Sequence, residues 1–211
     1  ISQSAVKTYA DSRGLKTLQP TNLKEESFLI DLENLHADLQ IVVAFRMLPE
    51  IVWGMPKMGT FNLHASLLPQ YRGAAPINWA IINGEIETGV TTFFLNHEID
   101  KGAIIMQKKV EIKPQMSAGI LHDLLARVGS ELVNKTCDAI ANNNVQTESQ
   151  NTLDATTLPE APKIFKQDCR INWDKDTETI SNLIRGLSPY PGAWTICETD
   201  NKKQLSCKIF S

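Results

Sequence analysis

Long apolar runs are missing from this sequence. The longest, Ile41-Val42-Val43-Ala44-Phe45, falls far short of the roughly 18 residues that a bilayer-crossing helix needs, so a soluble globular protein with no membrane partner is expected. No charged-then-apolar leader opens the residues given, which points to a cytoplasmic location. Cysteine is scarce and scattered. Cys137, Cys169, Cys197 and Cys207 form no C-x-x-C pair, which argues against a zinc ribbon and against a disulfide framework and leaves reduced, buried thiols. No internal repeat and no low-complexity tract is found. Charge of one sign is not in large excess either, the net being −3, but it is uneven. Residues 1–162 hold 13 Lys and Arg against 18 Asp and Glu, whereas 163–211 hold 8 against 6. A weakly basic tail on an acidic body permits a polyanionic partner and also suits an ordinary solvated surface.

What is present is enough for one full core and a second small domain: 211 residues, 42% of them hydrophobic. Leu23, Phe28, Leu29, Leu32 and Leu35 recur at helical spacing, and the β-rich run Leu39 to Phe45 follows as a buried strand. Thr60 to His64 is a second strand. Pro76 suits a helix's first turn and Gly84 its end, giving a short helix from Ala75 to Asn83. Val90 to Leu95 and Ala103 to Ile112 are strands around the loop Asn96 to Gly102. Ser117 then caps a long helix whose stripe is Leu121, Leu124, Leu125, Val128, Leu132 and Ile140. These elements imply an open α/β sheet, mostly parallel, with helices on both faces.

Composition shifts after that helix. The α/β domain is expected over residues 1–142, a polar linker over 143–162 and a second domain over 163–211. The second domain carries a helix through Ile180, Leu183, Ile184 and Leu187. It continues as a hairpin of Ala193 to Glu198 and Gln204 to Phe210 about Thr199-Asp200-Asn201. The chain starts at Ile1 without a methionine and stops at Ser211 inside an apolar alternation, the pattern expected of a fragment.

One strand carries polar groups where it is about to stop. Strand alternation puts Phe61 and Leu63 on one face and Asn62 and His64 on the other, roughly 6 to 7 Å apart along the strand. Both can reach one small reacting group in the crevice beyond the strand ends. The loop Ser66 to Gly73 offers backbone donors, with Pro69 stiffening it. The same pattern also suits an Asn that caps a turn beside a hydrogen-bonded histidine. Asp100, in Asn96-His97-Glu98-Ile99-Asp100-Lys101-Gly102, is a third candidate. A carboxylate near imidazole favours its protonated form and fixes its orientation. Amide and imidazole N–H groups suit the oxygen of a carbonyl under attack by an amine, and the carboxylate can take the amine's proton. His97 and Glu98 compete with Asp100 by proximity, and an Asp that only caps the loop remains open.

The residues Asn62-Leu63-His64-Ala65-Ser66-Leu67-Leu68-Pro69-Gln70-Tyr71-Arg72-Gly73-Ala74-Ala75-Pro76-Ile77 resemble the signature of the formyl-tetrahydrofolate-dependent formyltransferases. Glu87-Thr88-Gly89-Val90-Thr91 and Asp100-Lys101-Gly102 are similar to the family's next strand and aspartate loop. Arg170-Ile171-Asn172-Trp173 and Leu187-Ser188-Pro189-Tyr190-Pro191-Gly192-Ala193-Trp194 are similar to the entry to its C-terminal domain. The resemblance runs from about Val6 to the end. Within the family, the Tyr71 to Ile77 segment is most similar to the members that formylate methionine carried on initiator tRNA.

The resemblance implies a Rossmann-like formyltransferase domain followed by the start of an OB-like β-barrel that helps hold tRNA. It implies 10-formyltetrahydrofolate as co-substrate and no metal; a monomer is expected. Asn62 and protonated His64 would hold the formyl oxygen, and Asp100 would support His64 and help remove the proton. Ser66, Leu67, Leu68 and Pro69 match the folate-contacting segment. The pterin pocket would be lined by Ala44, Phe45, Arg46, Met47 and Leu48 with Asn96, His97 and Ile99. Relatives acting on an amino sugar or glycinamide ribonucleotide, a hydrolase or dehydrogenase consuming the same cofactor, and a non-catalytic nucleic-acid-binding fragment are the competing readings. The family's opening strand and Gly-containing loop do not precede Ile1, and Arg46-Met47-Leu48-Pro49 stands where some relatives carry Gly after the aromatic residue.

Overall fold

The computed structural model describes residues 3–44, 47–150 and 158–211, and divides the chain into two compact units. The first comprises residues 1–40 and 45–59. Its helices are α1 (Ala5–Ser12), α2 (Glu26–Glu33) and α3 (Glu50–Trp53). α1 is a helix that hydrophobic spacing does not announce. It is supported instead by Ser4, whose Oγ accepts the Lys7 amide at 3.2 Å, and by Lys7 reaching Asp11 one turn on at 2.7 Å. Within this unit Leu23 and Val52 are buried, and Lys57 pairs with Asp38 at 2.7 Å on the surface.

The second unit comprises residues 41–44 and 60–211. Its sheet takes the order β1 (Gln40–Val43), β2 (Thr60–His64), β4 (Glu87–Phe94), β5 (Ile104–Glu111). The expected open α/β sheet is present, with β2 where the sequence places it. Two features depart from expectation. β2 pairs β4 antiparallel, and β4 pairs β5 antiparallel. The second pairing has a simple cause: residues 95–103 are too few for the dozen or more that a parallel crossover requires. The strand expected to be buried, β1, is an edge of this sheet among the described residues, and Ile41 and Val43 stay 46% and 55% exposed.

One face of the sheet is covered by α5 (Ala118–Ala141), which starts at Ser117 as its capping pattern predicts. Val90, Val110 and Ile112 of the sheet side meet Leu121, Leu125 and Leu132 of α5, together with Ala80 and Ile81 of α4 (Pro76–Ile82). Each such aliphatic side chain contributes about 1.5–3 kcal/mol by leaving water. A smaller cluster joins Cys169, Ile171, Leu187 and Ala193, drawn from a 3₁₀ turn (Lys166–Cys169), α6 (Thr177–Leu187) and the hairpin of β7 (Ala193–Glu198) and β8 (Gln204–Ile209). Two short parallel strands, β3 (Arg72–Gly73) and β6 (Glu160–Ala161), complete the sheet pairing. No helix among the described residues is long and apolar enough to cross a membrane.

Candidate active site

The face of β2 that carries the polar groups is decided by α5. Leu63 packs so closely on that helix that a Cβ at Gly129 would stand 2.8 Å from its Cδ2. Thr92, opposite Leu63 on β4, also faces α5 and shares a hydrogen bond with Thr136 at 2.9 Å. Alternation therefore turns Asn62 and His64, with their partners Phe93 and Thr91, to the other side. His64 is buried, and its Nε2 lies 2.8 Å from the Tyr71 carbonyl. A carbonyl can only accept, so the proton sits on Nε2, and Nδ1 is the ring nitrogen left for a ligand. The Oδ1 of Asn62 is buried with no hydrogen-bond partner. An unmatched buried amide is costly unless something completes it. A ligand N–H would do so, or a ligand oxygen with the amide turned over.

The loop after β2 is pinned by one hydroxyl. Thr91 Oγ1 donates to the Ser66 carbonyl at 2.7 Å and accepts from the Leu68 amide at 3.1 Å and from Gln107 Nε2 at 2.9 Å. Gln107 also donates to the Leu68 carbonyl at 2.8 Å, and Ser66 Oγ donates to the Gln70 carbonyl at 2.6 Å. Further along, Tyr71 adopts φ +57°, a conformation that side chains rarely take. It is held from both ends: its amide donates to Pro159 O at 2.6 Å, and its hydroxyl donates to Glu85 at 2.6 Å. Asn83 Nδ2 donates to the same hydroxyl at 3.2 Å. Burial, reinforced by the bond to Glu85, pushes the phenol well above its ordinary pKa.

Asp100 is also left-handed, at φ +54°. Its Oδ2 accepts the Gly73 amide at 3.1 Å, and its carbonyl accepts Arg72 Nε at 3.1 Å. No hydrogen bond or ion pair joins His64 directly to Asp100; His64 is tethered to Tyr71, and Asp100 to the next two residues, Arg72 and Gly73. Gly73 is required there, since its φ is +123° and a Cβ would run into the Ala161 carbonyl. Of the competing residues, Glu98 is tied to Lys101 at 2.7 Å on the surface, and that bond holds its carboxyl below the usual range. His97 is exposed.

The candidate cofactor residues divide. Ser66 and Leu68 are buried and stiffen the loop, whereas Leu67 and Pro69 are partly accessible. Asn96 and Ile99 are exposed, and Asn96 accepts the Glu98 amide at 2.9 Å. Ala44 is exposed at φ +47° in the second unit. Met47, exposed, and Leu48, half-buried, belong to the first unit. Phe45 and Arg46 lie outside the described residues. Clefts of about 340 and 540 Å³ occur on the protein, and neither is lined by Asn62, His64 or Asp100.

Two participants escape sequence reasoning. Thr91 lies in a stretch whose resemblance is visible, yet nothing in spacing marks its hydroxyl as the anchor of the loop. Gln150 lies in a segment that composition reads as linker, but it is 5% exposed and bonded to Arg72 at 2.7 Å and to Gly102 O at 2.7 Å.

The family model described as "Formyl transferase" matches residues 2–137, and that of "Formyl transferase, C-terminal domain" matches residues 163–211. A methionyl-tRNA formyltransferase of Flavobacterium johnsoniae is 57% identical over 210 residues, covering 100% of this chain and 66% of the relative. One of Parabacteroides distasonis is 56% identical, covering 98% of this chain and 64% of the relative. The chain thus spans just under two thirds of these relatives. Among solved structures, a 4-N formyltransferase from Francisella tularensis superposes with TM-score 0.73 at 21% identity, covering 98% of this chain and 81% of that one. HypX from Aquifex aeolicus in complex with tetrahydrofolic acid superposes with TM-score 0.70 at 20% identity, covering 89% of this chain and 31% of that one.

Proposed function

Because the chain belongs to the formyl transferase family, we propose that it transfers a formyl group from 10-formyltetrahydrofolate to the α-amino group of methionine carried on initiator tRNA. What supports this reading is that Asn62 and His64 face the same side of β2, while Asp100 is tied to the loop that follows that strand. The unpartnered Oδ1 belongs to Asn62, while His64 and Asp100 are fastened to the consecutive residues Tyr71 and Arg72-Gly73. The high identity to methionyl-tRNA formyltransferases supports the choice of acceptor.

The co-substrate supplies the activated formyl carbon. The chain's own part is positioning and charge. With Nε2–H committed to the Tyr71 carbonyl, protonated His64 presents Nδ1–H to the formyl oxygen, beside the Asn62 amide. Donors fixed before the reaction stabilise the charge that grows on that oxygen without having to reorganise. Asp100, whose Oδ2 is engaged by the Gly73 amide, keeps Oδ1 to accept the proton of the attacking amine, directly or through water. Ser66, Leu67, Leu68 and Pro69 contact the folate in this reading, together with Ala44, Asn96, His97 and Ile99 of the same unit.

Residues 1–142 form the catalytic domain in this reading, 143–162 the linker, and 163–211 the start of an OB-like tRNA-binding domain. The matched ranges 2–137 and 163–211 support that division. The net positive tail, and Phe165 and Trp173 at 51% and 57% exposure, support a nucleic-acid partner there. The enzyme works as a cytoplasmic monomer. The test is formation of formyl-methionine by the full-length protein, 10-formyltetrahydrofolate and charged initiator tRNA, with amino-sugar nucleotides as competing acceptors. Asn62→Ala, His64→Ala and Asp100→Ala each lower the rate by about two to four orders of magnitude while far-ultraviolet circular dichroism is unchanged. Near-normal turnover by His64→Ala removes it from the mechanism, and preference for a sugar amine replaces the substrate.

A further inference from the structure

We propose that Gln150 is a positioning residue for Asp100, acting through Arg72 and Gly102; this rests on the catalytic role given to Asp100 above. The residues before it, 146–149, are all exposed, whereas Gln150 is 5% exposed with both ends of its amide in use. Its Oε1 accepts from Arg72 Nη2 at 2.7 Å and from Nε at 3.2 Å, and its Nε2 donates to the Gly102 carbonyl at 2.7 Å. Arg72 Nε in turn donates to the carbonyl of Asp100 at 3.1 Å. One side chain therefore grips the aspartate loop at two points, once directly at Gly102 and once through Arg72 at Asp100.

Asp100 needs such a grip. A non-glycine residue at φ +54° stays there only when its surroundings insist. The bonds of Lys101 to Glu98 and of the Glu98 amide to Asn96 are exposed and internal to the loop, so they do not tie it to the rest of the fold. The Gly73 amide, Arg72 and Gln150 do tie it there. Gln150 is held in line by the chain just before it, where Glu148 and Ile104 exchange amide–carbonyl bonds at 2.8 and 2.9 Å. The segment after α5 is thus a buttress of the reacting carboxylate.

The test uses the full-length protein. Gln150→Ala lowers kcat for formyl transfer roughly ten- to hundredfold, the scale of a small misplacement of a reacting group, and leaves KM for 10-formyltetrahydrofolate within about threefold. Gln150→Glu keeps the acceptor for Arg72 and loses the donor to Gly102, so its kcat falls in between; it carries the test if Gln150→Ala does not fold. The decisive readout is coupling. In an Asp100→Asn background, followed by single turnover, adding Gln150→Ala causes no further loss, because its effect passes through the missing carboxylate. Losses that multiply, or full kcat in both Gln150 variants beside an active wild type, overturn the inference. An inactive wild type overturns the reading of function on which it rests.

Discussion

Thr91→Val is the sharpest probe of how the site is held. Valine keeps the shape of a side chain that is fully buried, and removes three hydrogen bonds at once. Gln107 is near solvent and keeps its bond to Leu68 O, so it loses little. The Ser66 carbonyl and the Leu68 amide belong to residues 0% and 3% exposed and lose a partner each. A buried group so orphaned costs about 1–3 kcal/mol, which puts the whole change at about 2–6 kcal/mol. Entry of water as the loop gives way favours the lower half of that range. Against a total stability of about 5–15 kcal/mol this is a large loss. It is measured by urea unfolding of the full-length protein, with binding of a tetrahydrofolate analogue followed by calorimetry. Thr91→Ser, which keeps the hydroxyl, recovers most of the stability and the affinity. A Thr91→Val protein within about 0.5 kcal/mol of wild type, binding the analogue unchanged, refutes the idea that this hydroxyl anchors the loop.

Tyr71→Phe tests the alkaline limb of stability. The phenol is raised above 10.0 in the folded protein, so above that pH the unfolded chain releases its proton first. Tyr71 then contributes stability that is full below pH 10.0 and fades as pH rises beyond it. The variant loses about 1–2 kcal/mol at neutral pH and shows a flatter decline above pH 10.0 in unfolding titrations; an unchanged slope contradicts the assignment. Gly102→Ala displaces the aspartate loop, since the new Cβ would overlap the Phe94 carbonyl. Activity falls at least about tenfold, with a stability loss of about 1–3 kcal/mol, and an active, stable variant refutes the steric argument. Ser117→Ala removes the cap of α5, seen as a 3.4 Å bond from the Ile120 amide. The expected loss of about 1 kcal/mol is read from the same unfolding curves, with kcat unaltered.

Local chemistry made much of this protein legible in its sequence. Strand period alone puts Asn62 and His64 on one face of β2, because successive side chains must point opposite ways. Ser117 and the stripe from Leu121 to Ile140 announce α5, because a capping hydroxyl and a 3.6-residue period are local properties. The motif around Asp100 singles it out as a candidate, and the hairpin of β7 and β8 is legible in its turn residues. Strand direction is not local in this sense, and β2, β4 and β5 run antiparallel where periodicity offers no sign either way. Which face lies under α5 was decided only by packing, through Leu63 against Gly129 and Thr92 against Thr136. The same holds for the partners of the candidate site residues. His64 bonds the Tyr71 carbonyl rather than a carboxylate, and Gln150, 78 residues beyond Arg72, reaches back to it across the fold. A sequence states which groups are present and how neighbours along the chain are disposed; the pairing of buried polar groups across long loops depends on three-dimensional closure, which only the folded chain provides.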